Sequence, residues 1–235
     1  MLKTVLRGFD NSLCWLRGVF SFDNDPECIL RVQAESATHD VTLPGETLRK
    51  GERIIHLHLW NEHLPVMPPG GDDLAWAART WRLFVRSLQR LALQIPRDPR
   101  LAGARAVGAS SALFTLRGGP SSGARLMEKI GFQVTPYYRP WGGFGEWIEN
   151  TYSWWLMWAY NPGSMRSRDY QRIERTEIWM SAAELVRRFG GPGPAGAPAA
   201  HPLAGASRSK AHAPGGENSG ARHFPAADQR ADPTP

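Results

Sequence analysis

His56 and His58 stand two residues apart in the run Arg53-Ile-Ile-His-Leu-His-Leu-Trp60, and Asn61, Glu62 and His63 follow at once. Imidazole titrates near neutrality and binds metals through either ring nitrogen, so two of them on one strand face suit proton transfer or metal binding. The candidate polar site is therefore His56, His58, Asn61 and Glu62, with general acid–base chemistry as its enzymatic reading. A metal would need a third ligand from Glu62, His63 or the distant His39. A bare H-x-H is too little for that, and neither metal nor other cofactor is expected. A second set is basic: Arg79, Arg82, Arg86 and Arg90 recur at helical spacing. Guanidinium forks grip phosphates bidentately, which makes Arg79, Arg82 and Arg86 a candidate anion site, set against the plainer reading of a solvated helix face. The third set is aromatic. Trp141, Trp147, Trp154, Trp155 and Trp158 crowd between Tyr137 and Tyr160. Indole joins an apolar ring to a polar N–H, so this cluster suits a core, a sugar-stacking platform or a membrane–water boundary. Trp147, Trp154, Trp155 and Trp158 are its candidate surface.

Familiar catalytic signatures are missing. The chain has no G-x-S-x-G, no P-loop, no dinucleotide fingerprint and no H-E-x-x-H. Cys14 has no assigned histidine partner, so no residue is given a catalytic role and enzyme status stays open. The run from Ala124 to Gly131-Phe132 resembles the helix-then-strand ending of GNAT-type acetyltransferases, which would imply an acyltransferase-like fold. Those enzymes need a pyrophosphate loop between strand and helix. The nearest run, Arg100-Leu-Ala-Gly103-Ala-Arg105, closes on Arg and precedes a strand.

The elements that must hold these residues follow from periodicity and punctuation. Apolar residues at three- and four-residue steps predict a helix over 2–20, ended by Asp23-Asn24-Asp25-Pro26. Strands are expected over 28–34, 39–43 and 53–60, with turns at Pro44-Gly45-Glu46 and Arg49-Lys50-Gly51-Glu52. In 53–60, alternation sends Ile55, Leu57 and Leu59 to one face and Ile54, His56, His58 and Trp60 to the other. A long amphipathic helix spans 74–95, opened by Asp72 or Asp73 and ended by Pro96. A strand within 105–116 comes next, then a helix over 123–130 closed by Gly131 as its left-handed cap. Further on come a strand over 132–138, an aromatic helix over 146–160 and an edge strand over 176–180. Ser181 and Glu184 form a capping box that opens a last helix over 182–189. The fold class is α/β of the α+β type: one mixed sheet of five or six strands packed by three to five helices.

After Gly190 the chain turns to Gly, Pro, Ala and small polar residues, with Leu203 and Phe224 its only large apolar ones. Such a segment buries too little surface to offset its chain entropy. The expected organisation is a domain over 1–190 and a disordered tail over 191–235. All ten Trp lie before the tail, and the net charge of +6 belongs almost wholly to the domain. That balance suits an anionic partner, though the basic residues are scattered and no nucleic-acid module accompanies them, so nucleic acid is not an expected partner. Two Cys at unrelated positions argue for a reducing compartment, and neither a signal peptide nor a membrane span is apparent. A cytoplasmic protein, peripheral at the inner membrane through its first helix and its Trp, is the expected setting.

Three segments together resemble the YkoP-like domain family of bacteria: His56-Leu-His58-Leu-Trp-Asn61-Glu62 leaving a strand, residues 123–131 with Phe132-Gln-Val, and the aromatic helix near Tyr152 and Trp158. The resemblance spans roughly 5–160, with residues 139–180 and the tail reading as additions. It implies a small α/β domain, in some relatives joined to polysaccharide-deacetylase-type domains, and a link to envelope polysaccharide or lipid metabolism. The function expected is a non-enzymatic accessory or binding domain whose partner is an anionic lipid or a polysaccharide-related ligand. The alternative is an enzyme built around His56, His58, Asn61 and Glu62.

Overall fold

Backbone pairing joins five strands into one mixed sheet. The computed structural model describes residues 2–68, 70, 73–111, 122–139, 142–160, 162–165 and 175–191. All of these belong to the first of the chain's two units, Met1–Ala197. The strands are β1 (Leu30–Ser36), β2 (Val41–Leu43), β3 (Glu46–Leu48), β4 (Arg53–Leu59), β5 (Ala106–Ser111), β6 (Gln133–Pro136) and β7 (Thr176–Ser181). The helices are α1 (Leu2–Leu16), α2 (Leu74–Gln94), α3 (Ser122–Lys129), α4 (Gly142–Tyr160) and α5 (Ala182–Phe189). The main sheet runs β1-β4-β5-β7-β6, antiparallel throughout except for β4 and β5, and β2 and β3 form a separate hairpin. This is the expected α+β class. From residue 192 the expected tail lies outside the described residues, as do Trp141 and the second half of the strand expected within 105–116.

One face of the sheet carries the main core. Ile55 and Leu57 of β4, Leu30 and Val32 of β1, Val107 of β5, and Ile178 and Met180 of β7 meet Leu88, Leu91, Ala92 and Ile95, which lie on and just beyond α2. Leu185 of α5 and Met127 of α3 close the same layer. Each fully buried Leu or Ile contributes about 1.5–3 kcal/mol, which makes this face the main source of stability. The expected caps are in place. Asp73 accepts from the Trp76 N–H at 2.7 Å, and Ser181 from the Glu184 N–H at 3.2 Å. Buried Ser87 on α2 accepts from the Ile29 N–H at 3.0 Å and so registers that helix against β1.

Three elements differ from expectation, one of them α4, which begins at Gly142 rather than at residue 146. The first helix stops at Leu16 rather than at residue 20. Gly18 turns at φ 71°, a conformation L side chains avoid, and Phe20 is already bridged to Val32 of β1. Strand β3 was not expected. Pro44-Gly45 is the turn between β2 and β3, with Gly45 at φ 83°. Pro followed by a positive-φ Gly is the signature of a type II turn, so the expected turn is the tip of a hairpin whose second strand is β3.

Candidate functional site

The second face of the sheet is polar, and the strand register shows how. Gln33, His56, Gly108, Trp179 and Gln133 lie directly across from one another on β1, β4, β5, β7 and β6. On neighbouring rows Arg31 faces His58, and Ser110 faces Glu177, which faces Thr135. Alternation places all of these side chains on the side opposite the main core. The β2–β3 hairpin covers part of this face through a small apolar cluster of Ala37, Val41, Leu43 and Leu48 with Ile54, Ala106 and Trp179.

His56 and His58 share this face as expected, their rings 4.9 Å apart. Their nitrogens are taken up by the sheet itself. His56 Nδ1 lies 2.7 Å from Glu35 Oε1, and His56 Nε2 accepts the Ser110 backbone N–H at 3.2 Å. A backbone N–H can only donate, so Nε2 carries the lone pair and Nδ1 carries the proton that Glu35 holds. His58 Nε2 sits 3.2 Å from Gln33 Oε1. Burial, reinforced by His56 and Arg17, pushes the His58 pKa down to about 3, so its ring stays neutral at ordinary pH.

The other two members lie elsewhere. Glu62 leaves the strand on a 3-10 turn, Asn61–His63, and accepts from the Tyr160 hydroxyl of α4 at 3.0 Å. Asn61 starts the same turn. His63 stacks on Trp60 and hydrogen-bonds the Cys28 carbonyl at 2.8 Å. Among the described residues no three His, Cys, Asp or Glu side chains are grouped so that they could hold a metal ion.

A second histidine–carboxylate group, missed in the sequence, occupies the far side of this face. Glu177 is only 5% exposed. Its Oε1 accepts the Tyr138 N–H at 3.1 Å, and its Oε2 accepts Trp179 Nε1 at 2.8 Å and lies 3.2 Å from His39 Nε2. The His39 ring stacks on Tyr138 with centroids 4.3 Å apart, and its Nδ1 lies 3.1 Å from Thr38 Oγ1. The Trp179 ring in turn lies flat on Gly108, where a Cβ would fall 2.4 Å from ring carbons. The alternation of 176–180 carried a weak signal for Glu177, but nothing local pairs it with His39.

The basic row divides. Arg86 pairs with Glu27, and Arg90 with Asp23 at 2.9 Å and with Asp25, so the acidic turn after α1 neutralises half the row. Arg79 and Arg82 lie exposed on α2. The aromatic set divides as well. Trp147 and Trp155 are exposed at 56% and 51%, together with Phe144 at 73% and Ile148, while Trp154 and Trp158 are half-buried. Residues 144, 147, 148 and 155 fall on one stripe of α4. Helix α1 packs beside α4. Buried Asp10 accepts from the Tyr152 hydroxyl at 2.5 Å, and Arg7 donates to the Ala159 carbonyl at 3.1 Å. Burial and the neighbouring carboxylates push the Tyr152 and Tyr160 hydroxyls well above the ordinary phenol range, so both remain donors. Phe9, Trp15 and Leu16 of α1 are exposed too. No helix among the described residues is long and apolar enough to cross a membrane.

A mixed sheet with α2, α3 and α5 over one face and a hydrogen-bonded polar layer on the other defines an α+β domain. The chain belongs to the YkoP domain family, whose model matches residues 2–189. The match runs through residues 139–180, so the aromatic segment lies within the family's span rather than beyond it as expected. No curated protein and no solved structure matches the chain.

Proposed function

We propose that this chain is a non-enzymatic accessory domain that binds the membrane–water boundary through the aromatic surface of α1 and α4, on the cytoplasmic side of the inner membrane. The observation that carries this reading is the exposure of Phe144, Trp147, Ile148 and Trp155 along one stripe of α4, with Phe9, Trp15 and Leu16 on the adjacent helix. Indole and phenyl rings favour the headgroup level because they offer apolar area and, in Trp, one polar N–H. An enzyme built on His56 is less well supported. Both its ring nitrogens are bound within the sheet, and Glu62 faces α4 rather than the imidazoles. The envelope polysaccharide or lipid context implied by the family resemblance is compatible with a surface-binding accessory role.

The aromatic stripe is close to charge balance. Glu146 pairs with Arg139 at 2.8 Å, and Glu149 lies 3.5 Å from the Arg175 guanidinium. Ring insertion should therefore dominate over attraction to anionic lipid, and binding should survive salt that screens surface charges beyond about 8–10 Å. Flotation with vesicles of mixed zwitterionic and anionic lipid tests the reading. The protein should rise with the vesicles at low and moderate salt, and the Trp147→Ser/Trp155→Ser double variant should stay behind. Absence of flotation even at low ionic strength overturns the proposal. So does self-association that the same double variant abolishes without any vesicle binding.

A further inference from the structure

Between the β2–β3 hairpin and the edge strand β6 lies an open cleft of about 380 Å³. That is the lower part of the range for small-molecule sites, roughly 300–1,000 Å³. Its walls include His39, Asp40, Thr42, Gln133, Thr135 and Tyr138. It is set apart from the α4 stripe and uses none of its residues.

Tyr138 is the unusual member. It is 44% exposed, yet two groups hold it. Its backbone N–H is fixed by the buried Glu177 carboxylate, and its ring rests on His39. His39 is itself oriented at both nitrogens, by Thr38 and by Glu177. A buried carboxylate is costly unless fully hydrogen-bonded, and two of the groups that this one binds set the position of an exposed aromatic ring. That is the arrangement of a preorganised platform rather than of a loop residue left in solvent.

The chemistry around the ring selects its ligand. Thr42, Thr135 and Gln133 offer hydroxyls and an amide, which both donate and accept. Among the described lining residues the one carboxylate, Asp40, is occupied by the Lys50 N–H at 2.8 Å and the Arg49 guanidinium at 2.9 Å, and its pKa is held low by those bonds. No Lys or Arg among the described residues lines the cleft, and the nearby Arg49 guanidinium is taken up by Asp40, so phosphate and carboxylate ligands find little counter-charge there. A flat apolar face ringed by hydroxyls does match, because it stacks on the phenol ring while neutral side chains take its edge. We infer that this cleft is a binding site for an uncharged saccharide, with Tyr138 as the stacking platform and Gln133, Thr135 and Thr42 as the hydrogen-bonding rim.

The test is titration calorimetry and saturation-transfer NMR on the full chain with glucose-, galactose- and N-acetylglucosamine-based trisaccharides. At least one should bind saturably with a Kd of about 1 mM or tighter, as few contacts in an open cleft allow. Tyr138→Ala should weaken it about tenfold or more, and Tyr138→Phe should retain it, because the ring and not the hydroxyl makes the platform. Gln133→Ala is the second variant, expected to weaken binding should Tyr138→Ala fail to fold. The Trp147→Ser/Trp155→Ser variant should bind saccharide normally and Tyr138→Ala should float normally, so this site and the membrane surface fail separately. No saturable binding by any of the trisaccharides at about 10 mM, or binding that neither Tyr138→Ala nor Gln133→Ala changes, overturns the proposal.

Discussion

The polar face of the sheet and the α1–α4 surface reverse the usual expectation about which residues do the work. Histidines and carboxylates on the sheet face point at one another: Glu35 holds His56, Gln33 faces His58, and Glu177 holds Trp179 and His39. Trp147, Trp155 and Phe144 on α4 point at solvent. A side chain whose hydrogen bonds are satisfied internally has little left to offer a ligand, whereas exposed apolar area gains by finding a partner. The reactive-looking residues thus build the domain, and the bland ones are free to bind. Variants of these histidines and carboxylates should lower stability, and those on the aromatic stripe should lower only binding.

The largest effect is expected where the polar face is anchored. Trp179→Ala removes a ring packed on Gly108 and a donor to buried Glu177. Denaturant unfolding should show a loss of about 3–5 kcal/mol, the range for a large aromatic truncated in a core. A loss below about 1 kcal/mol would mean that the polar layer adds little to the fold. Next is the seam between α1 and α4. Asp10→Leu deletes the acceptor of the half-buried Tyr152 hydroxyl and leaves that donor without its partner, at an expected cost of about 1–3 kcal/mol.

The legible and illegible parts of the molecule separate along the same line. Strand β4 was readable because its alternation is local: Ile55 and Leu57 against His56 and His58. The caps at Asp73 and Ser181 and the left-handed Gly131 at φ 102° were readable for the same reason, being decided within one turn of chain. What His56 and His58 touch was not readable. Glu35 and Gln33 are more than twenty residues away, and Ser110 more than fifty, so register alone brings them together. The Glu177 group joins residues 39, 138 and 179 in the same way. Asn61 and Glu62 were grouped with the histidines by adjacency. The 3-10 turn rotates Glu62 toward Tyr160 instead. Exposure of Trp147 and Trp155 was open in the sequence, since a Trp-rich helix reads alike as core or surface.

Acid sharpens the comparison in a graded way. His58 has a folded pKa of about 3 against an ordinary 6.5, so between those values the unfolded chain binds the extra proton. Stability from the neutral ring is complete above about pH 6.5 and is lost as pH falls through that window, at up to about 1.4 kcal/mol per pH unit. His58→Gln keeps a polar side chain within reach of Gln33 without titrating. Unfolding midpoints between pH 7 and pH 4 should fall less steeply in that variant. Equal slopes in the two proteins would show that His58 is solvated and that the sheet face is wetter than its hydrogen bonds indicate.

The smallest effect on stability is expected at the aromatic stripe, and it carries the most information about function. Phe144, Trp147 and Trp155 are each more than half exposed, so replacing all three by Ser removes little buried area. Away from caps and cores such changes stay near ±0.5 kcal/mol each. The triple variant should therefore unfold within about 1.5 kcal/mol of the parent while losing vesicle flotation. Apolar area on a surface is a liability to solubility, and a fold that does not need these rings for its own stability keeps them for something outside it. A triple variant that unfolds several kcal/mol more easily would place the rings in the core after all. The comparison between a self-satisfied polar face and an outward-looking aromatic one would then dissolve.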